Sequence, residues 1–131
     1  MRANQLREAW KGSRTTFGIW SMIPDAFAAE LAARAGYDYV CVDGQHGLAD
    51  LASMVSIFQA TDAAGATPFA RVLTNDDGLI GRTLDAGAMG VIVPLVNNAE
   101  EAARAVAACR YPPDGSRSYG PVRASEVIGS K

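Results

Sequence analysis

The sequence predicts an α/β fold in which parallel strands alternate with crossover helices. Four short apolar runs, near residues 15–20, 38–43, 67–72 and 90–95, alternate with segments whose apolar residues recur at helical spacing. The runs are apolar on both faces, as in strands that are covered on two sides. Such (β/α) units form either an open doubly wound sheet or part of an eight-unit barrel, which typically needs about 250 residues. Periodicity alone fits both architectures.

The composition is typical of one soluble globular domain, with 49% hydrophobic and 20% charged residues among 131. A net charge of −2 without a basic run argues against nucleic acid as a partner. No stretch has the pattern of a secretion signal or a membrane span, so we expect a cytoplasmic protein without membrane contact. Cys41 and Cys109 fall in apolar elements and are expected to be core thiols.

The first part of the chain predicts a helix, a strand and a second helix. Residues 3–11 suit a short surface helix that ends at Gly12, and the strand near 15–20 follows. Asp25 stands where the second helix would begin, and Gly36 where it would end. The four-residue spacing of apolar residues predicts that this helix buries Phe27, Leu31 and Ala35.

Three further helices follow the remaining strands. Asp50 can cap a helix that runs to Ala64, and the segment 75–78 opens another. Asn98 and Glu101 form a possible capping box for the last. The helix after Asp50 is expected to bury Leu51, Met54, Val55 and Phe58. We therefore predict a single domain over residues 1–131, with four βα units over about 15–110 and a loop segment over 111–131 that can include one helical turn.

The strand that ends at Asp43 carries the clearest signal of a functional site. Ligands bind outside the carboxyl ends of parallel strands, and Asp43, Gln45 and His46 follow directly at that end. His46 is the only histidine of the chain and lies three residues from a carboxylate. The alternative is that Asp43 caps a turn and His46 is an ordinary loop residue.

Several familiar motifs are absent from the sequence. No Gly-x-Gly-x-x-Gly follows a strand, and neither a phosphate-binding Gly-x-x-x-x-Gly-Lys nor a Gly-x-Ser-x-Gly nucleophile motif occurs. Cys41 and His46 lack further ligands at the spacing that zinc sites require. The sequence thus gives no support for nucleotide binding, serine hydrolysis or structural zinc.

A set of short segments, found in order along most of the chain, points to one family. The two most specific are Asp43-Gly-Gln-His-Gly47 and Arg110-Tyr-Pro-Pro-Asp-Gly-Ser-Arg117. The others are residues 36–40, Arg71 at a strand end, residues 84–87 and residues 93–96. Together these segments resemble the HpcH/HpaI aldolases. That family comprises class II pyruvate-dependent enzymes of the 4-hydroxy-2-oxoheptanedioate and 2-keto-3-deoxy-rhamnonate aldolase type.

The resemblance implies the first half of a TIM (β/α)8 barrel. It also implies a lyase that reversibly cleaves a 4-hydroxy-2-oxo acid into pyruvate or a related oxo acid plus an aldehyde. In the matching positions His46 would be the catalytic base, Arg71 the transition-state stabiliser and Asp85 the carboxylate that raises the basicity of the histidine. Asp43 and Gln45 would line the same loop as substrate-binding residues. Family members are commonly hexamers, so a homo-oligomer is expected.

The resemblance further implies a divalent metal, Mg²⁺, Mn²⁺ or Co²⁺. The family's metal ligands are a Gln-x-Glu strand and a later Asp, which have no counterpart in these 131 residues, so we expect ligands beyond residue 131 and an inactive fragment without them. A second departure is Gln45, which stands where many members have Glu. It removes one negative charge from the loop.

Three alternatives accompany the aldolase prediction. The chain could be a non-catalytic half-barrel that self-associates or binds a protein partner through its open sheet edges, since exposed edges favour pairing. A weaker alternative is an enzyme like the citrate and malyl-CoA lyases, acting on an acyl-CoA thioester. The assigned side chains also have structural interpretations: Arg71 in a surface ion pair and Asp85 paired with Arg82 on a helix face. Cys41 and Trp20 are expected to be structural.

Overall fold

The computed structural model describes residues 4–128 and forms one parallel sheet with its connecting helices. The four strands are β1 (Gly18–Ser21), β2 (Tyr39–Asp43), β3 (Thr67–Arg71) and β4 (Gly90–Ile92). The six helices are α1 (Gln5–Lys11), α2 (Ala26–Arg34), α3 (Leu51–Ala63), α4 (Asp77–Asp85), α5 (Ala99–Ala108) and α6 (Ala124–Ile128). In this part of the chain the longest helix, α3, has 13 residues, and none qualifies as a membrane span.

The strands lie side by side in sequence order, β1-β2-β3-β4, and all pairs are parallel. Right-handed crossovers between successive neighbours place every connecting helix on the same side of the sheet, whereas a doubly wound sheet reverses its strand order partway. The structure therefore confirms an α/β fold in which successive (β/α) units form a four-stranded parallel sheet, as in half of a barrel.

Alternation along the strands separates two sets of side chains. Val40, Val42 and Ala70 pack with residues of α2 and α3 in the main hydrophobic cluster. Because side chains alternate between the faces of a strand, Asp43 and Arg71 lie on the opposite face, which corresponds to the inside of a barrel. The polar residues at the strand ends are thereby separated from the helix-covered core.

The predicted buried face of α2 is wrong. Phe27 and Leu31 are 66% and 52% exposed, and the helix instead buries Ala29, Ala32 and Ala33. Small side chains let a helix approach the sheet and its neighbour α3 closely, so the alanine face makes the contact. The larger side chains consequently point away from the sheet. The face of α3 is closer to the prediction, with Met54, Ile57, Phe58 and Thr61 buried.

Two strands differ in extent from their predictions. β1 begins at Gly18 rather than at residue 15, because its pairing with β2 starts at Tyr39. β4 ends at Ile92, which pairs with Arg71, the last residue of β3. The following apolar residues leave the sheet, and Leu95 has a φ of 59°, which an extended strand does not allow.

The predicted helix starts are confirmed by side-chain caps. Asp25, Asp50 and Asn98 each accept a hydrogen bond from the backbone N–H three residues later. The Glu101 carboxylate does not accept from the backbone N–H of Asn98, as a capping box requires; it accepts from the backbone N–H of Asn97 at 2.7 Å. Cys41 is fully buried as expected, while Cys109 is only partly buried beside the smaller cluster. The end of the described chain forms α6, a helix of five residues, within the segment that was predicted to be a loop that can include one helical turn.

Candidate active site

The site begins with a buried ion pair between neighbouring strand ends. Asp43 and Arg71 are register partners on β2 and β3. The Arg71 guanidinium donates through Nε to Oδ1 of Asp43 at 2.9 Å and through Nη2 to Oδ2. This bidentate geometry fixes the orientation of the guanidinium plane as well as its distance from the carboxylate.

Asp43 also organises the loop that follows β2. Its Oδ1 accepts hydrogen bonds from the backbone N–H groups of Gln45, at 2.9 Å, and His46, at 3.1 Å. The loop returns so closely that a Cβ on Gly47 would lie 2.2 Å from the carbonyl oxygen of Asp43, so this position requires glycine. The Asp-Gly-Gln-His-Gly segment is thus a tight turn built around one carboxylate.

The structure revises the predicted role of Asp43. The residue is 1% exposed, and its two oxygens accept five hydrogen bonds, the fifth from the Trp20 indole. A carboxylate offers about four lone-pair sites, so no acceptor capacity remains for a substrate. Arg71 above all, with the Trp20 indole and the loop N–H groups, holds the pKa of Asp43 well below its usual range despite burial. Asp43 is therefore a positioning anion rather than a substrate contact.

Arg71 keeps part of its guanidinium available. Its side chain is 22% exposed, and within residues 4–128 its Nη1 makes no hydrogen bond. The hydrogen bonds that Arg71 donates to Asp43 raise the pKa of Arg71, which makes it a permanent cation. A fixed positive charge with a free N–H pair at the carboxyl end of the strands can bind an anionic oxygen.

His46 and Gln45 extend from the same loop. His46 is exposed and Gln45 half-buried, and neither side chain forms a hydrogen bond in the described part of the chain. Only their backbone N–H groups are held, by Asp43. The loop thus presents an imidazole and an amide while the backbone beneath them is fixed.

Within residues 4–128, Asp85 makes no hydrogen bond or ion pair with His46. It ends α4, which leads to the amino end of β4, whereas His46 follows the carboxyl end of β2. The Asp85 carboxylate instead accepts a hydrogen bond from Nη2 of Arg117, whose guanidinium carbon lies 4.7 Å from the ring centroid of Tyr111. Within one chain, the predicted action of Asp85 on the basicity of His46 is therefore not supported. The Arg110–Arg117 motif serves here to anchor the last turn of α4.

Cys41 lies two residues before Asp43, on the same face of β2, but is not a nucleophile. Burial, with a smaller contribution from the Asp43 charge, raises the pKa of the Cys41 thiol to about 12. The thiol stays protonated at neutral pH, and the thiolate is the reactive form. Cys41 therefore has the structural role that the sequence predicted.

The described residues do not fit a divalent metal. Among residues 4–128, no group of three or more His, Cys, Asp or Glu side chains could hold an ion. Asp43, the carboxylate closest in sequence to the loop, has its oxygens occupied by protein donors. That the ligands of the metal lie beyond residue 131 stays a prediction.

Trp20 is the site residue that sequence reasoning missed. The sequence predicted a structural role for Trp20. Its indole N–H donates to Oδ2 of Asp43 at 3.1 Å, and its ring centroid lies 5.1 Å from the guanidinium carbon of Arg71. Strand alternation holds the signal that could have found it. Trp20 is the register partner of Cys41, so its side chain shares the inner face with Asp43.

Removal of the Asp43 charge should destabilise the chain. We expect Asp43→Asn to lower the free energy of unfolding by about 3 kcal/mol, the lower end for breaking a buried ion pair, because Arg71 keeps some contact with solvent. Glu30→Gln is the matched control, since its pair with Arg34 on α2 is exposed and should change stability by about 0.5 kcal/mol or less. Urea unfolding measures both. Equal small effects would contradict a buried anion at Asp43.

The same ion pair predicts a pH dependence. A carboxylate with a depressed pKa stabilises the fold above its unfolded value, about 3.9, and that contribution disappears as the pH falls through the folded pKa. The stability difference between wild type and Asp43→Asn should therefore be full at pH 6 and shrink progressively below about pH 4. Asp38, Asp50 and Glu101 also have lowered pKa values, but they are common to both proteins and cancel. A difference that grew on acidification would contradict the assignment.

Comparison with known proteins places this geometry in a family. A family model described as HpcH/HpaI aldolase/citrate lyase matches residues 16–128. The chain is 42% identical over 123 residues to a 4-hydroxy-2-oxovalerate aldolase of Rhodococcus jostii, covering 93% of this chain and 48% of that protein. It is 38% identical over 117 residues to a hydroxypyruvate/pyruvate aldolase of Paraburkholderia phytofirmans, covering 89% and 44%.

A solved structure shows the same fold. The chain superposes on an HpcH/HpaI aldolase/citrate lyase family protein from Burkholderia cenocepacia with a TM-score of 0.89 and 34% identity, covering 95% of this chain and 52% of that one. The chain thus spans about half the length of the relatives it matches.

Proposed function

Because this chain belongs to the HpcH/HpaI aldolase/citrate lyase family, we propose that it carries the arginine and histidine of an aldolase active site. The enzyme would reversibly cleave a 4-hydroxy-2-oxo acid into pyruvate or a related oxo acid and an aldehyde. The observation that supports this most strongly is the Arg71 guanidinium, locked by Asp43 and still offering Nη1 beside the loop of His46. Since the relatives are about twice as long, the rest of the site would come from outside these residues.

Arg71 would stabilise the charge that forms during cleavage. When the C3–C4 bond of the substrate breaks, its electron pair moves to the C2 oxygen and produces an enolate. A guanidinium that is already oriented by Asp43 pays no reorganisation cost when this negative charge develops. Arg71 would therefore act electrostatically, through a charge that is present before the reaction starts.

His46 would move the protons. In its neutral form it accepts the proton of the C4 hydroxyl as the C3–C4 bond breaks, and C3 of the enolate is then protonated to give the methyl group of the oxo acid. In the reverse direction a base removes a methyl proton from pyruvate. The exposed imidazole, free of hydrogen bonds within residues 4–128, is available for this transfer.

A divalent ion such as Mg²⁺, Mn²⁺ or Co²⁺ is proposed as the cofactor on the family resemblance. When bound it would supply Lewis-acid stabilisation of the oxo acid. Among residues 4–128 no group of three or more His, Cys, Asp or Glu side chains provides its ligands.

The test is an aldol-cleavage assay of the full-length natural protein. Purified enzyme would be supplied with Mg²⁺, Mn²⁺ or Co²⁺ and a panel of 4-hydroxy-2-oxo acids that differ in the aldehyde portion, with release of pyruvate as the readout. We expect metal-dependent pyruvate formation from at least one member. A folded, metal-loaded protein inactive on the whole panel would contradict the proposal.

A second candidate function is a non-catalytic half-barrel that associates with a second copy. Phe27 and Leu31, four residues apart on α2, leave an apolar stripe 52–66% exposed on the outside of that helix, and Ile23 just before the helix is 63% exposed. In the described residues, the outer edges of β1 and β4 also have no partner strand. Sedimentation of the 131-residue chain tests this association: a monomer at micromolar concentration would count against the half-barrel function.

A homo-oligomer and a cytoplasmic location remain predictions for the full-length enzyme.

A further inference from the structure

We infer that Trp20 is a positioning residue for the proposed reaction: its indole holds the Asp43–Arg71 pair in the orientation that leaves Nη1 of Arg71 open to the substrate. The inference rests on the proposed function for its catalytic consequence. The contact itself is independent of that function.

Trp20 touches both members of the ion pair. The indole N–H donates to Oδ2 of Asp43 at 3.1 Å, and the ring face lies 5.1 Å from the guanidinium carbon of Arg71. Oδ2 is the oxygen that also binds Nη2 of Arg71. One side chain therefore restrains the carboxylate by a hydrogen bond and the guanidinium by a cation–π contact.

Packing within residues 4–128 does not explain the placement of Trp20. The side chain is 45% exposed and belongs to neither hydrophobic cluster, although a large aromatic residue normally buries most of its surface. Its polar contact is instead directed at a buried charge.

The chain contains an internal comparison. Trp10, the only other tryptophan, is 51% exposed, and its indole N–H donates to the neutral hydroxyl Oγ1 of Thr16 at 2.9 Å. The two indoles thus have similar exposure and one hydrogen bond each. They differ in that only Trp20 contacts Asp43 and Arg71.

The reaction depends on this restraint because of where the positive charge must lie. An oxyanion is stabilised only by donors placed where its charge develops, and small displacements of a catalytic group lower the rate steeply. Asp43 fixes two nitrogens of Arg71 at the edge of the guanidinium, and the Trp20 ring stacks near the guanidinium carbon. Without the indole, the guanidinium and carboxylate can tilt together while their own hydrogen bonds persist.

The contact can be tested on the 131-residue chain by NMR. The two indole N–H signals are assigned with Trp10→Phe and Trp20→Phe. We expect Arg71→Lys to move the Trp20 signal and to leave the Trp10 signal in place, with Asp43→Asn as a second variant if it remains folded. An unmoved Trp20 signal in a folded variant would overturn the inference, whether or not the full-length protein is an aldolase.

The catalytic consequence is tested in the full-length protein by a double-mutant cycle. Trp20→Phe keeps an aromatic ring but removes the N–H, and we expect kcat to fall about tenfold with a smaller change in KM. Trp10→Phe should leave kcat unchanged. In an Arg71→Lys background, Trp20→Phe should have little further effect, because the group that it positions is gone.

The cycle separates positioning from structure. If Trp20→Phe lowered kcat by the same factor in both backgrounds, or left kcat unchanged in the wild-type background, the positioning role would be overturned. Failure of the proposed function looks different, since the wild-type protein would then have no aldolase activity while the NMR contact remained.

Discussion

Alanine in place of His46 should slow aldol cleavage by the full-length protein by about 10²–10⁴-fold, the usual contribution of a positioned general base. The loss is expected in kcat, because alanine has no group that can accept the C4 hydroxyl proton. Stability should hardly change, since the side chain is exposed and makes no hydrogen bond within residues 4–128, while the backbone N–H that binds Asp43 is retained. Steady-state kinetics and thermal unfolding measure the two effects separately.

A control in the same loop guards against indirect effects. Leu48, two residues further on, is 81% exposed, and Leu48→Ala shortens an exposed side chain without removing a proton acceptor. We expect this variant to keep most of its activity. A folded His46→Ala enzyme as active as the Leu48→Ala enzyme would exclude His46 as the base.

Lysine in place of Arg71 should lower kcat by about two orders of magnitude or more, the scale seen when one oxyanion donor is removed. The charge is conserved, so the effect must come from geometry. A single ammonium group cannot form the two-pronged contact with Asp43 and also present a further N–H pair to the enolate oxygen. KM should change less than kcat, because the interaction is strongest in the transition state.

Arg34→Lys provides the matched control for the Arg71 substitution. Arg34 also pairs with a carboxylate, Glu30, but on the exposed outer surface of α2. We expect no more than a small change in kcat for this variant. An Arg71→Lys enzyme within a few-fold of wild type would contradict an electrostatic role for the guanidinium.

Much of the fold could be predicted because its determinants are local. Short apolar runs alternating with helical patterns indicated four parallel strands, and Asp25, Asp50 and Asn98 marked helix starts through contacts three residues away. The buried face of α2 was wrong for a physical reason. Residue hydrophobicity favoured Phe27 and Leu31, whereas close packing on the sheet selected the small alanines.

The site was predictable only in part because its contacts are long-range. Asp43 lies 23 residues from Trp20 and 28 from Arg71, so their meeting depends on strand register. The loop sequence identified Asp43 and His46 as neighbours. It did not show that hydrogen bonds from protein donors occupy both oxygens of the Asp43 carboxylate. Asp85 was linked to His46 by resemblance, and its partner in the fold, Arg117, is 32 residues away.

Exchange of the methyl protons of pyruvate tests the proposed chemistry most directly. The full-length, metal-loaded protein is incubated with pyruvate in D₂O, without an aldehyde, and the methyl signal is followed by proton NMR. Because enolate formation from pyruvate needs no aldehyde but does need the base, we predict exchange by the wild type and a rate at least about 10²-fold lower for His46→Ala. Exchange by His46→Ala at the wild-type rate would contradict the assignment of His46 as the base.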